Sequence, residues 1–152
     1  MKLHVMCREQ FVPTPLDEVF SFFDRPENLG ELTPGSLGFR ILTPNPIEMK
    51  SGTVIDYVIR LFFLPLRWRT LITEYDPPHG FVDEQSRGPY RRWIHRHSFV
   101  AARDGTWIRD EIRYELPFGC LGRLAHAVMV RRMLERIFAY REVVITQRFG
   151  SG

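Results

Sequence analysis

Two alternating stretches decide the fold of this chain: WIHRHSF at residues 93–99 and IRDEIRYEL at residues 108–116. Strand side chains point alternately to the two faces of a sheet, so each stretch predicts a strand with one apolar and one charged face. The apolar faces nevertheless contain His95, His97 and Asp110. Burying such groups costs several kcal/mol unless they are paired or meet water or a ligand. These residues therefore predict a wet or ligand-filled cavity.

The composition is that of an ordinary soluble domain. The chain has 152 residues, 44% hydrophobic and 26% charged, which is enough for one domain with a sizeable core over residues 1–152. The net charge is only +3, and nearly all of the basic residues are arginine. A charge this small does not indicate nucleic-acid binding, so we expect no nucleic-acid partner.

Cysteine spacing and the length of apolar runs bear on location. Cys7 and Cys120 are isolated, without the spacing of a metal site, and the N-terminus lacks the pattern of a secretion signal. No apolar run approaches the roughly 20 residues that a membrane helix needs. We therefore expect a cytoplasmic protein in a reducing environment.

Turn signals divide most of the chain into short strands. A first strand at about residues 2–12 places Leu3, Val5 and Cys7 on one face, and a short helix capped by Thr14 begins at Pro15. A second helical turn follows. Six further strands are predicted at about residues 37–41, 53–61, 66–75, 80–86, 91–101 and 106–116. The turns between the later strands are too short for crossover helices, so these strands form an antiparallel meander.

The last segment predicts a long helix. Residues 119–147 are rich in helix formers and contain no proline. The apolar stripe of this helix changes side, because one stripe contains Leu121 and Val128 and a nearly opposite stripe begins at Val130. We therefore expect a kink or a second packing partner near residues 128–130.

Short motifs along nearly the whole chain carry a family resemblance. They are PLDEVF at residues 15–20, DRPENL at 24–29, WRT at 68–70, ITEYDPP at 72–78, FVD at 81–83, GPY at 88–90, the alternation of residues 93–99, and LPFG at 116–119. Their order resembles the START-like, Bet v 1-like superfamily, and within it the bacterial proteins grouped with polyketide cyclases and lipid-transfer domains.

The resemblance implies an α+β helix-grip fold. In that fold a curved antiparallel sheet of about seven strands wraps around the long C-terminal helix, and two short helices follow the first strand. It also implies a ligand cavity between the sheet and the helix. The functions of the superfamily range from lipid carriage to cyclisation, so the fold alone does not decide the function.

Three functions fit these patterns. The first is a binding protein, without catalysis, for a hydrophobic or amphipathic small molecule of lipid or polyketide type. The alternative is a cyclase or dehydratase type of enzyme, with His95, His97, Asp110 and Glu74 as candidate acid and base groups. A weaker alternative is a protein-interaction module that docks a partner through the apolar stripe of residues 121–128.

The candidate ligand site combines apolar walls with a polar anchor. The candidate ligand-binding residues are Trp68, Thr70, Glu74, Trp93, His95, His97, Phe99, Asp110, Tyr114, His126, Val130, Met133 and Ile137. Two histidines and a carboxylate can also bind a metal, but a histidine pair on one strand face is a common coincidence. We therefore expect neither a metal nor a cofactor, and the sequence contains no nucleotide-binding fingerprint.

A candidate mouth for the pocket follows from the meander. The turns after the third and fifth strands and the exit from the seventh fall at the same end of the sheet. They bring together Phe62, Phe63, Tyr90, Phe118 and Arg123, an apolar rim with cationic flanks. If the rim is open rather than a closed lid, it predicts an amphipathic ligand and transient contact with a membrane surface. The oligomeric state stays open.

Overall fold

A computed structural model describes residues 2–61 and 63–152 of the chain. Its strands are β1 (His4–Val12), β2 (Arg40–Ile41), β3 (Val54–Leu61), β4 (Leu64–Asp76), β5 (Gly80–Arg87), β6 (Arg92–Ala102) and β7 (Gly105–Glu115). They form one antiparallel sheet in the order β1-β7-β6-β5-β4-β3-β2. The predicted seven-stranded antiparallel sheet is confirmed, and pairing of the first strand with the last completes it.

The helices lie where the sequence pattern places them. Their bounds are α1 (Leu16–Phe23), short 3-10 helices at Pro26–Gly30 and Gly35–Leu37, α2 (Gly119–Ala125), a π-helical turn at His126–Val130, and α3 (Arg131–Phe149). The second strand is shorter than predicted, because Leu37 ends a 3-10 helix and Gly38 is left-handed, so the strand begins only at Arg40. The last three segments follow one another without a break and make up the long C-terminal helix of the helix-grip fold. No helix in the described ranges is long and apolar enough to cross a membrane.

The irregularity in the C-terminal helix coincides with the change of its apolar stripe. The π-helical turn occupies residues 126–130, and such turns are a common origin of helix kinks. After it, Leu134 and Phe138 are buried against the sheet. Leu121, before the turn, is 72% exposed, and Val128, within it, is 62% exposed. The early stripe therefore faces solvent, whereas the later stripe packs into the core.

The sequence pattern does not show which face of β1 points outward. Leu3 and Val5 share a face as predicted, but that face is the solvent side, and Cys7 is also exposed. The opposite face meets α3 through polar groups, where the Gln10 side-chain amide donates to the Glu142 carbonyl at 2.9 Å. Hydrogen bonds to the helix, rather than apolar burial, therefore orient this strand.

Thr14 does not cap α1. Its hydroxyl instead donates to the Phe149 carbonyl at 2.8 Å, and its own carbonyl accepts a hydrogen bond from the Thr106 hydroxyl at 2.8 Å. Pro15 is the residue just before the helix rather than its first residue. The predicted cap thus fastens the start of α1 to the end of α3 and the start of β7.

Two apolar clusters fill the space between the sheet and the helices. The larger contains α1 residues such as Phe20 and Phe23, together with Phe99 and the end of α3. The smaller contains Trp68 and Trp93 with residues from the beginning of α3. Because Trp93 and Phe99 lie on the same face of β6, the two histidines between them sit between the two clusters.

Candidate functional site

Three neighbouring strands bring four titratable side chains together. Asp83 on β5 is paired in register with His95 on β6, and Asp110 on β7 is paired with His97. The hydrogen bonds run diagonally across these pairs. His95 Nε2 lies 2.7 Å from Asp110 Oδ1, and His97 Nε2 lies 2.6 Å from Asp83 Oδ2. The two imidazole rings stack with their centroids 3.6 Å apart.

Arg141 on α3 completes this buried cluster. Its Nη2 lies 3.4 Å from Asp110 Oδ1, and the residue is only 6% exposed. The guanidinium carbon lies 5.2 Å from the Phe23 ring centroid and 5.7 Å from that of Phe138. The Nε atom has no hydrogen-bond partner among the described residues. A buried donor of this kind is a ready contact for an oxygen atom of a ligand.

The cluster separates the proton affinities of its two histidines. Burial lowers the pKa of His95, and the neighbouring His97 lowers it further. Burial also acts to lower the pKa of His97, but the carboxylates of Asp110 and Asp83 outweigh it and raise the pKa above its usual value. The stacked pair therefore contains one histidine that keeps its proton more firmly and one that gives it up more readily. This is the division expected of an acid and a base.

Both carboxyls are held in their ionised form. Burial on its own would raise their pKa values, and it is the largest single effect on each. The charge of Arg141 and the contacts with both histidines hold the pKa of Asp110 well below its usual range. The His97 contact and the charges around it lower the pKa of Asp83. The cluster thus keeps two buried negative charges beside one permanent positive charge.

Two cavities meet at this cluster. Both are lined by Tyr57, Asp83, His97 and Arg141. The first has about 580 Å³ of empty space, including its opening, and its walls come mainly from α1, the 3-10 helix that follows it, and the strands β3, β4 and β5. The second has about 900 Å³ and extends toward the turns at the other end of the sheet. Apart from the shared cluster, the walls of both are predominantly apolar.

Many of the sequence-predicted ligand-binding residues line these cavities. Thr70 lines the first cavity and His97 lines both. Of the predicted ligand-binding residues, the second cavity is also lined by Trp68, Trp93, His95, Met133 and Ile137, and it is lined by Tyr90 of the predicted mouth as well. They come from β4, β6, the turn before β6 and α3, so the two layers of the fold contribute to one wall.

Glu74 does not belong to the cluster. Its side chain is 59% exposed and pairs with Arg96 at 2.9 Å on the outer face of the sheet. The alternation of buried Thr70 and Ile72 would turn Glu74 inward, but the pairing of β4 with β5 shifts by one residue between Ile72 and Glu74. The extra residue at this bulge reverses the faces beyond it.

Asp83 occupies the place that the sequence pattern assigned to Glu74. Its side chain is 17% exposed and contacts His97 directly. Together with Arg141 it is a functional candidate that sequence reasoning missed. One signal was available, because Asp83 alternates with Phe81 on the strand that precedes the histidines. No local pattern indicated Arg141, which lies in an amphipathic helix rich in arginine.

Phe99 and Asp110 lie away from the cavity walls. Phe99 is 1% exposed and packs with Phe20 and Phe23 in the larger apolar cluster, so it is a core residue rather than a wall. Asp110 lines neither of the two cavities and lies behind the histidines, facing α3. Asp110 therefore lies behind the two histidines and not on the wall of either cavity, although the three side chains are in contact.

Tyr114, His126 and Val130 form a separate region near the π-helical turn. The Tyr114 hydroxyl lies 2.7 Å from His126 Nε2, and the His126 ring stacks on His4 with centroids 3.5 Å apart. Burial lowers the pKa of His126, with further lowering by the charge of the neighbouring His4. Val130 lines an outer groove instead of the inner cavities. The placement of these three residues in the ligand site is therefore corrected.

The predicted mouth carries exposed aromatic rings. Phe63 is 98% exposed and Phe118 is 81% exposed, so neither ring packs over the cavity as a lid. Arg123 on α2 is also exposed and donates to Cys120 Sγ at 2.9 Å. Phe62 lies outside the described residues. The mouth therefore combines apolar tips with a cationic side chain.

Two outer grooves border the second cavity, and one of them includes Tyr90 and Phe118 of the mouth. One is lined by residues of the β5–β6 turn and α2, including Phe118 and Leu121. The other runs along the π-helical turn and α3 and includes Arg132 and Arg136. Leu61 and Met133 line both grooves and the second cavity. These two side chains therefore stand between the cavity and the surface.

Comparison with known families gives one match over most of the chain. The sequence model of the family described as polyketide cyclase / dehydrase and lipid transport matches residues 12–138. No curated protein matches the sequence of this chain.

Several solved structures share the fold. The protein CV1439 from Chromobacterium violaceum has a TM-score of 0.74 at 10% identity, covering 97% of this chain and 98% of its own. TTHA0849 from Thermus thermophilus has a TM-score of 0.67 at 17% identity, with 95% and 99% covered. A norcoclaurine synthase point mutant from Thalictrum flavumn, in complex with a transition-state analogue, has a TM-score of 0.65 at 14% identity, with 97% of each chain covered. At these identities the likeness establishes the fold alone.

Proposed function

The chain belongs to the polyketide cyclase / dehydrase and lipid transport family, and we propose that it binds a hydrophobic or amphipathic small molecule of lipid or polyketide type between the sheet and the C-terminal helix. One observation carries this proposal: two apolar cavities meet at Asp83, His97 and Arg141. Ligand sites are typically apolar clefts with a small number of polar groups that fix orientation. The cluster would be that polar anchor.

Unpartnered donors on the walls support a ligand with acceptor oxygens. Trp68 Nε1 and Arg141 Nε are both buried without a hydrogen-bond partner among the described residues, and both side chains line the second cavity. A buried donor without a partner is costly, so a ligand oxygen that accepts from it contributes to affinity. An alkyl or aromatic portion would fill the apolar space on either side.

Filling the second cavity tests this proposal. Ile137 lies on α3 and lines the second cavity, so the Ile137→Trp substitution places a large indole where the ligand would lie. We expect at least about a tenfold loss of affinity for a fluorescent fatty acid, since overlap of even a few ligand atoms removes their apolar contact. The measurement is a fluorescence titration, with native mass spectrometry of protein purified from its host to identify the bound molecule.

The matched control is a substitution on the same helix. Val143 is 54% exposed and lines none of the cavities described above, so Val143→Trp should leave probe affinity unchanged. Equal affinity of Ile137→Trp and wild type, in variants with the same circular dichroism spectrum, would contradict the proposal.

A second candidate function, a cyclase or dehydratase type of enzyme, is favoured by the histidine pair. The pKa of His97 is raised and that of His95 is lowered, and both side chains line the second cavity. Such a pair could act as acid and base on a bound molecule. Mass spectrometry and NMR of the released molecule together distinguish the two functions, because a binding protein returns its ligand unchanged, a dehydratase returns it lighter by one water, and a cyclase returns a cyclic isomer of the same mass.

We also propose that the ligand enters through the mouth while the protein rests on an anionic membrane surface. The exposed rings of Phe63 and Phe118 lie at the end of the sheet where Leu61 and Met133 border the second cavity. A groove that is also bordered by Leu61 and Met133 contains Arg60, Arg132 and Arg136, none of which forms an ion pair within the described part of the chain. Exposed apolar tips flanked by unpaired arginines are complementary to anionic lipid.

Membrane contact has a direct test. The double variant Phe63→Ser/Phe118→Ser should bind vesicles of phosphatidylcholine and phosphatidylglycerol about tenfold less tightly than wild type, because two apolar side chains no longer insert. Cosedimentation measures the binding, and added salt should weaken it for wild type.

The control variant has the same number of apolar-to-polar substitutions at a different part of the surface. Val5 and Val143 are 56% and 54% exposed and lie away from the mouth, so Val5→Ser/Val143→Ser should bind vesicles as wild type does. Loss of binding in both double variants, or in neither, would exclude the mouth as the membrane contact. Wild-type protein that does not bind vesicles but dimerises through residues 121–128 would favour the protein-interaction alternative.

A further inference from the structure

Asp83, His95 and His97 form more than a hydrogen-bonded anchor. We propose that these three side chains bind one divalent transition-metal ion, of the class of Zn²⁺, at the inner wall of the cavity. One ligand atom from each residue lies within 4.8 Å of the ligand atoms of the other two. The sequence pattern grouped the histidine pair with Glu74 and Asp110, and no metal was expected on that basis. In the structure Asp83 takes the place of Glu74 and lies beside both histidines.

One nitrogen of each imidazole ring faces Asp83 and the other faces Asp110, which is the division found in metal-binding histidines. Asp83 Oδ2 lies 2.6 Å from His97 Nε2 and 3.8 Å from His95 Nδ1. The other nitrogen of each ring faces Asp110 Oδ1, at 2.7 Å for His95 and 3.4 Å for His97. Metal-bound histidines usually direct their second nitrogen to a carboxylate, which fixes the ring. Asp110 would serve both rings in this way, and Arg141 in turn contacts Asp110.

The distances fit a small ion once the stacked imidazole rings rotate so that His95 Nδ1 and His97 Nε2 both point at it. Zinc bonds to histidine nitrogen and carboxylate oxygen are about 2.0 to 2.2 Å, which places tetrahedral ligand atoms about 3.3 Å apart. The contacts of 2.6 Å and 3.8 Å to Asp83 Oδ2 lie on either side of that separation. A metal ion would take the place of the proton in the short contact. Two imidazoles and one carboxylate suit zinc, iron, nickel or copper, whereas calcium and magnesium prefer oxygen ligands alone.

The charges of the cluster favour a cation at this point. The two carboxylates of Asp83 and Asp110 lie beside a single guanidinium, that of Arg141, so a metal cation at this point would balance the second carboxylate. An uncompensated charge in a buried site is costly. His97 Nδ1 also has no hydrogen-bond partner within the described residues. A metal ion on Nε2 would supply the missing charge and fix the ring with Nδ1 toward Asp110.

Three protein ligands leave a coordination position open. Asp83, His95 and His97 all line the second cavity, so that position would face it. An open fourth position distinguishes zinc sites that bind water or substrate from closed structural sites. On the proposed function, a hydroxyl or carboxylate oxygen of the bound small molecule would occupy this position on the ion.

The test uses the full chain after treatment with a chelator. Titration with Zn²⁺ should give one site per chain, and Co²⁺ should give visible absorption bands of a site with nitrogen ligands. Mg²⁺ and Ca²⁺ should not compete. Asp83→Asn and His97→Gln should each weaken Zn²⁺ binding by more than about a hundredfold, and Asp110→Asn by about ten- to a hundredfold through the loss of ring positioning.

Two controls guard against surface binding. Glu74→Gln removes the exposed carboxylate that the sequence pattern selected, and His126→Gln removes a histidine of the surface pair with His4. Both variants should bind Zn²⁺ as wild type does. Binding retained in both Asp83→Asn and His97→Gln, binding lost in His126→Gln, or no stoichiometric Zn²⁺ site in wild type would each overturn the proposal.

The outcome is independent of variant folding and of the proposed function. If circular dichroism shows that Asp83→Asn or His97→Gln is unfolded, X-ray absorption of the wild-type Co²⁺ complex decides instead. Two imidazole ligands are expected in that spectrum. A spectrum without imidazole ligands would overturn the site. If fatty-acid uptake depends on residue 137 but the protein has no Zn²⁺ site, only the metal proposal is overturned. A Zn²⁺ site with no uptake overturns only the small-molecule function.

Discussion

Replacement of Arg141 by methionine is expected to lower the free energy of unfolding by about 3 to 5 kcal/mol. The arginine is 6% exposed, and its guanidinium lies 3.4 Å from the buried Asp110 carboxylate. Methionine keeps much of the apolar stem but leaves the carboxylate without its permanent positive partner. Removal of one member of a buried ion pair is strongly destabilising for this reason. Urea denaturation measures the change.

A surface ion pair provides the control. Arg8 and Glu142 are 3.4 Å apart with side chains 31% and 52% exposed, so Arg8→Met should cost at most about 1 kcal/mol. Adding Asp110→Asn to Arg141→Met should recover part of the lost stability, because the unpaired charge disappears. An Arg141→Met cost no larger than that of Arg8→Met would show that Asp110 does not depend on this arginine.

Phe99→Ala is expected to be equally costly, at about 3 to 5 kcal/mol. The ring is 1% exposed, and its centroid lies 5.1 Å from that of Phe23 and 5.6 Å from that of Phe20. Alanine removes the transfer free energy of the ring and leaves a space that this packed cluster cannot close. Thermal unfolding followed by circular dichroism checks the result.

This substitution also separates a core residue from a cavity wall. Phe63→Ala, at a side chain that is 98% exposed, should change stability by less than about 0.5 kcal/mol. Phe99→Leu should keep fatty-acid uptake close to wild type while lowering stability, because the ring lines neither of the two inner cavities. A sharp fall in fatty-acid uptake by a folded Phe99→Leu variant would show that Phe99 belongs to the ligand site.

The parts of the fold that follow a local period were predictable from sequence. Alternation along residues 93–99 and 108–116 placed His95, His97 and Asp110 on the inner face, and all three are buried. Side-chain direction in a regular strand depends only on the parity of the position, so no distant contact is needed. The antiparallel order followed in the same way, because short turns leave adjacent strands no other connection.

The parts that depend on contacts between distant segments were not predictable. A one-residue shift in the pairing of β4 with β5 turned Glu74 to solvent, and nothing in the local sequence of the strand marks that bulge. Leu3 and Val5 face outward because the polar side of β1 hydrogen-bonds to α3, more than 120 residues away. Apolar alternation alone does not tell which face a second layer will cover.

The chain by itself therefore determined that two histidines and a carboxylate lie inside a helix-grip fold, since period and turn length are local properties. Only the tertiary structure decided their partners. Asp83 reaches His97 because β5 and β6 pair in a register set by the whole sheet, and Arg141 reaches Asp110 because α3 crosses that sheet at one position. Pairing register and helix placement are decided by the packing of the complete core, which no single stretch of sequence contains.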